Sequence, residues 1–243
     1  MDRDPHHHGA TIVTGGPLIF LGATAVPELI DVLVDINQAG GSWAPRGILD
    51  DNPDLAGTTI AGLPVLGPLE RVAEHPDARF VFAIGSHSTR LARHSILCRL
   101  DLPDDRYATL IHPGAKVYAS ASIGAGSIIH FGAVIANGVR LGRWVIVLWN
   151  SVIGADSRVG DGALITSQVT TNSGVRIGSY SFIGSASAIA EAVTIGPGAM
   201  VGMRSLVLRN VASGTFQFGD PPRILSRQEV PDGIIANWEE FTR

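Results

Sequence analysis

The segments AVIANG (133–138), VRLGRW (139–144) and VIVLWN (145–150) decide the fold. Each carries an aliphatic residue in third position, and the pattern continues in both directions at a strict interval of six. Val117, Ile123, Ile129, Ile135, Leu141, Val147, Ile153, Val159, Ile165, Thr171, Ile177, Ile183, Ile189, Ile195, Val201 and Val207 form one column, aliphatic throughout except at Thr171. Two residues before each member stands a small or β-branched residue, among them Ala115, Ser127, Val139, Ser151, Ala163 and Val175. An α-helix repeats near 3.6 residues and a flat strand near 2. A period of six belongs to neither and marks a hexapeptide β-helix, in which short strands coil around one stacked core.

Three hexapeptides make a triangular coil, so equivalent positions recur every 18 residues. Strand alternation sends the two columns inward and the residue between them outward. Gly124, Gly142, Gly160, Gly178 and Gly196 then line one edge. Coils stacked at about 4.8 Å give a prism on the order of 25 Å long. Thr171 has two readings, a hydroxyl bonded to neighbouring backbone or part of a polar pocket. His112 reads as part of the turn that opens the prism. His130 follows inward Ile129, which turns it outward, toward solvent or a neighbouring subunit. Trp144 and Trp149 are outward aromatics suited to a subunit interface or to the wall of a groove.

Upstream, residues 17–110 alternate between short apolar runs and helical patterns. Strands are expected at Pro17–Leu21, Arg46–Asp50 and Phe80–Ile84, with a short extended piece at Pro64–Leu66. Helices are expected at Pro27–Asn37, Leu69–Glu74 and Thr89–Leu100. This order predicts a small parallel, Rossmann-like α/β sheet, whose ligands bind beyond the carboxyl ends of the strands. Those ends are Gly22-Ala23-Thr24, Asp50-Asp51 and Gly85-Ser86-His87. Gly22 either starts a phosphate-receiving turn before a helix or simply makes the strand-to-helix turn.

With 243 residues and 45% hydrophobic content, the chain is expected to hold two domains, 17–110 and 111–212, with a C-terminal tail over 213–243. The formal net charge of −4 gives no reason to expect nucleic acid. Cys98 is the single cysteine, as expected in a reducing cytoplasm. No run of about 18 apolar residues suggests a membrane span, and the charged start does not read as a signal peptide. His6-His7-His8 reads as a leader, with metal binding the alternative. The prism holds only His112 and His130, too few for a three-histidine zinc centre, so no metal is expected.

Several segments together carry a specific resemblance. They are Phe20-Leu21-Gly22-Ala23, Gly47-Ile48-Leu49-Asp50-Asp51, Ile60-Ala61-Gly62-Leu63-Pro64-Val65-Leu66-Gly67, Ala83-Ile84-Gly85 with Arg90, Leu110-Ile111-His112-Pro113, and Gly219-Asp220-Pro221-Pro222-Arg223. In this order the chain resembles the nucleotide-sugar N-acetyltransferases of bacterial glycan biosynthesis and the related sialic acid O-acetyltransferases, over residues 17–223. The resemblance implies a left-handed parallel β-helix that assembles as a homotrimer. It also implies acetyl transfer from acetyl-CoA to the amine of a nucleotide-linked sugar. Gly22, Ala23, Thr24, Asp50, Asp51 and Arg90 would hold the nucleotide sugar. Ser173, Ser185, Met203 and Arg223 would lie along the acyl donor, in a groove between subunits.

The chain departs from the family where the chemistry is done. Aligned on Arg158-Val159-Gly160, Ala155 stands where the family has its histidine base, and Asp156 keeps the following carboxylate. Leu164 replaces a second histidine near the acyl donor. Met203 replaces a glycine, and Ser86-His87 replaces an Asp-Asn pair. Asp156 and His130 are the catalytic candidates that remain. Three readings stay open: base-free acyl transfer to an amino sugar, transfer to another small amine or alcohol, and a non-catalytic binding trimer.

Overall fold

In a computed structural model, the structure describes residues 14–85, 89, 91–219, 223–225 and 229. His6–His8, Ser86, His87, Arg90 and the tail beyond 229 lie outside the described residues.

The N-terminal unit is a five-stranded sheet in the order β3-β4-β2-β1-β5. Its strands are β1 (Gly15–Leu21), β2 (Ser42–Leu49), β3 (Thr59–Ile60), β4 (Leu63–Gly67) and β5 (Arg79–Phe82). β1, β2, β4 and β5 run parallel, and only β3 pairs antiparallel, with β4. Leu18, Ile19, Phe20 and Leu21 are all fully buried, so β1 is covered on both faces, as an interior strand of a parallel sheet must be. Helix α1 (Val26–Gln38) turns Val26, Leu29, Val32, Leu33 and Ile36 onto one face of this sheet. The expected helix at Leu69–Glu74 is 3₁₀, and helix α2 (Ala92–Leu100) is shorter than its apolar pattern suggested.

From Leu110 onward the chain winds into the prism. Strand pairs are 18 residues apart up to Val207, as in Ile129 with Val147 and Val159 with Ile177, and the last coil closes at 16, Met200 with Phe216. The inward aliphatic column and its small companions form one continuous core. Inward serines are tolerated because each bonds the backbone of the next coil. Ser151 Oγ donates to the Thr166 carbonyl at 2.6 Å and accepts from the Val169 N–H at 3.1 Å, and Ser157 repeats the arrangement. Thr171 does likewise: its hydroxyl accepts the Gly154 N–H at 2.9 Å, which supports the backbone reading over a polar pocket.

The three faces of the prism differ in their outward residues, and this difference positions everything else. The first, the docking face, presents Leu110, Ile128, Ile146, Leu164, Phe182 and Met200. Its first four pack with Leu18, Phe20, Leu29 and Ile48 into a single core shared with the N-terminal sheet. The second face presents Lys116, Val134, Val152, Thr170, Ala188 and Leu206, almost all neutral. The third presents Ser122, Arg140, Arg158, Arg176 and Thr194. The C-terminal end is closed on the docking face by Phe216–Phe218 and, antiparallel to it, Arg223–Leu225.

Candidate functional site

The turn after β1 is held tightly. Gly22 has φ +89°, its N–H donates to the Leu49 carbonyl at 2.8 Å, and a Cβ there would meet Ile84 at 2.1 Å. Ala23 and Thr24 follow on the surface, and α1 begins at Val26. Pro27 removes one N–H from its first turn, and Glu28 places a carboxylate there. That carboxylate already offsets the positive end of the helix, so a phosphate at this point meets a competitor.

Asp50 and Asp51 leave β2 on the same edge of the sheet, and both are engaged locally. Asp50 accepts the Asn52 N–H at 2.9 Å. Asp51 accepts the Leu69 N–H at 2.9 Å with one oxygen and the Arg99 guanidinium at 2.5 Å with the other. Burial works to raise the Asp51 carboxyl, but the Leu69 N–H and Arg99 outweigh it and hold it below the usual carboxylate range.

His130 corrects the sequence reading. It is an outward residue, but it lies on the docking face and is only 1% exposed. Glu28 of the N-terminal unit places its carboxylate 3.3 Å from Nε2, and Trp149 of the prism has its ring centroid 4.8 Å from the imidazole. Nδ1 is buried without a partner, and burial, aided by the charge of His112, pushes the imidazole down to about 4. His130 is therefore a neutral part of the interdomain contact rather than a surface group. Trp144 is corrected likewise. It packs edge-on against Tyr107 with Arg143 over its ring, within its own chain. His112 is structural as expected: Nδ1 accepts the Gly114 N–H at 2.9 Å, and Nε2 meets Asp35 at 2.7 Å.

Two further anchors escaped the sequence reading. Glu28 bears no motif. Arg93, on α2, is fully buried and donates to the Trp144 carbonyl at 3.0 Å and the Gly162 carbonyl at 2.6 Å, tying α2 to the prism. Its burial lowers the guanidinium to about 10. A charge on a weakly amphipathic helix ordinarily signals a solvated face, so no local pattern marks it.

The remaining site residues divide between two edges of the prism. Ala155, Asp156 and Ser173 sit on the edge between the neutral and arginine faces. Asp156 is exposed at φ +57°, its carboxylate lying over Gly138 of the coil below. Ser185 and Met203 sit on the opposite edge, between the docking and neutral faces. Ser185 Oγ donates to Thr166 Oγ1 at 3.0 Å, and Met203 is 71% exposed. Leu164 is buried between the domains. Arg223 lies in the closing strand, opposite Phe218. The protomer thus leaves Asp156 and Ser173 separated from Ser185 and Met203 by the whole neutral face. Among the described residues no group of three or more His, Cys, Asp or Glu is placed to hold a metal ion. No helix there is long and apolar enough to cross a membrane.

The described residues thus form a small α/β unit docked on a prism of stacked hexapeptide coils, and this architecture is shared with solved structures. Among solved structures, the chain is similar to a His-to-Asn form of perosamine N-acetyltransferase from Caulobacter crescentus in complex with CoA and GDP-perosamine. The TM-score is 0.75 at 23% identity, covering 87% of this chain and 97% of that one. The acetyltransferase domain of PglB from Neisseria gonorrhoeae matches with a TM-score of 0.73 at 24% identity, over 86% and 99% of the two chains. WeeI from Acinetobacter baumannii matches with a TM-score of 0.72 at 24% identity, over 86% and 99%. No family model matches the chain, and no curated protein matches it at a significant level.

Proposed function

We propose that this protein transfers an acyl group, most directly acetyl, from a coenzyme A thioester to the amine of a nucleotide-linked amino sugar, as a homotrimer. The observation that carries the reading is the two-domain likeness to an enzyme holding CoA and GDP-perosamine, which extends over 87% of this chain. The division of candidate residues between two edges supports the trimer. Packing three copies around their neutral faces would bring the Asp156–Ser173 edge of one against the Ser185–Met203 edge of the next. The arginine faces would repel one another and stay outside, and the docking face is already covered.

The chemistry follows from what stands at the Asp156 edge. The sugar amine attacks the thioester carbonyl, the tetrahedral intermediate collapses, and the C–S bond breaks. With Ala155 in place of a base, the proton of the amine passes to the departing thiolate. An amine with a pKa near working pH is already partly unprotonated, and orientation between the two subunits supplies a large part of the acceleration. Asp156 is the carboxylate placed to orient the amine.

Ala155 and the burial of Leu164 favour a second reading, a trimer that binds the same ligands without catalysis or acylates another small amine or alcohol. Release of free thiol from acetyl-CoA, measured over a panel of nucleotide-linked amino sugars, separates the two. Thiol release with one acceptor is expected. CoA binding with no thiol release from any acceptor would refute acyl transfer to a nucleotide-linked amino sugar. Ala155→His is expected to raise kcat by about 100-fold, the lower end of what one general base supplies.

A further inference from the structure

The docking face is covered by the N-terminal unit and the neutral face is assigned to the proposed trimer, but the third face has no role yet. Arg140, Arg158 and Arg176 are outward residues on directly paired strands, Arg140 opposite Arg158 and Arg158 opposite Arg176. Stacked strands put successive guanidiniums about 4.8 Å apart at their roots. All three are exposed, and none takes part in an ion pair or side-chain hydrogen bond among the described residues. Ser122 and Thr194 extend the column without charge. Arg143 and Arg99, by contrast, are paired, Arg143 with Asp161 at 2.8 Å and Asp104 at 3.2 Å and Arg99 with Asp51. Arg204 and Arg209, exposed and unpaired among the described residues, do not stand on paired strands as the column does. Three stacked like charges repel, and they call for an anion supplied from outside the column.

The path of the chain supplies one. The last strand runs antiparallel to Phe216–Phe218, with Arg223 opposite Phe218 and Leu225 opposite Phe216. Phe216 directly follows the Ser213–Gly214 turn, on the edge shared by the docking and arginine faces. The chain therefore leaves Leu225 heading toward the arginine face. Residues 226–243 follow, including Asp232, Glu239 and Glu240, with Trp238 and Phe241 flanking the two glutamates. Eighteen residues can extend to about 60 Å. Leu225 stands three coils above Arg176, about 15 Å at the strand spacing, so the reach is ample.

We propose that residues 230–243 dock in cis on the arginine face, with Asp232, Glu239 and Glu240 paired to the Arg140–Arg158–Arg176 column and Trp238 stacked on a guanidinium. A stacked column reads an acidic segment better than isolated surface cations do, because each carboxylate meets two guanidiniums. The proposal is independent of acyl transfer.

Hydrogen exchange of the full chain at low salt tests it, comparing wild type with the triple variant Arg140→Gln, Arg158→Gln, Arg176→Gln. These surface changes leave the core columns intact, and prism peptides report directly on folding. Exchange over 230–243 is expected to be about five-fold slower in the wild type than in the variant, the scale of a few surface ion pairs, and half-molar salt should abolish the difference. Equal tail exchange in the two proteins overturns the proposal. So does wild-type protection that rises with protein concentration, because the tail would then sit on a neighbouring copy. Inorganic pyrophosphate provides an independent arm. It should bind a chain truncated after Glu229 more tightly than the full chain, and equal binding would show that the column is not covered by the tail.

Discussion

At the residue scale, the two histidines of the prism show how far position in a repeat determines environment. The six-residue period correctly turns His130 outward. It does not say that the face it joins is covered, because the covering element lies 100 residues upstream in sequence. The consequence can be measured. A histidine held at about 4 in the folded state and near 6.5 when unfolded binds its proton preferentially in the unfolded chain. Its stabilising contribution is therefore complete above pH 6.5 and is lost as pH falls toward 4. Chemical denaturation at pH 7 and pH 5 should show a loss of about 2 kcal/mol attributable to this residue. A His130→Leu variant should flatten the curve over that window. An unchanged pH dependence would mean that the imidazole is not dry.

At the scale of the element, the glycine edge shows what keeps the coils in contact. A Cβ on Gly178 would come within 2.3 Å of the Pro197 backbone nitrogen in the next coil, with no flexible side chain to yield. Gly174, at φ +69°, has nothing closer than 3.9 Å, so a side chain there costs only backbone strain. Gly178→Ala should lower stability by about 2–3 kcal/mol, as overpacking does, and Gly174→Ala by about 1 kcal/mol. Thermal melts of the two variants give the comparison, and equal effects would contradict coil contact at this edge. The recurrence of glycine every 18 residues was legible in the chain, and its cause is this approach of backbone to backbone. The α/β unit was legible in outline, with its strands and helices near their expected places. The 3₁₀ form of Leu69–Glu74 and the shortening of α2 were not, because tertiary packing sets helix ends where capping signals are weak.

At the scale of the whole molecule, the three faces of the prism divide its tasks. The apolar face receives the α/β unit, with Leu164 and Ile146 in the shared core. In the proposed trimer the neutral face would serve self-association, and the arginine face would take the proposed acidic segment. If three copies pack through the neutral face, the protein should sediment near three times 25.5 kDa. Val152→Asp on that face should dissociate the assembly and lose acyl transfer together with it, since Asp156 and Ser185 would no longer meet across subunits. Sedimentation and thiol release measured on the same preparation check this. A variant that remains trimeric, or a monomer that retains activity, would place the interface elsewhere.

By itself the sequence determined the prism, its coil length, its two inward columns and its edge glycines, because a strict period in a stacked core leaves only one way to bury the aliphatic residues. Only the tertiary structure decided which face was covered. It turned His130 and Trp144 from surface residues into contacts within the chain, engaged Asp51 with Arg99 and Leu69, and buried Arg93 against two carbonyls. The physical reason is range. Periodicity records which residues point out of an element, whereas burial and charge pairing depend on what packs against it, and here those partners lie dozens of residues away in the chain.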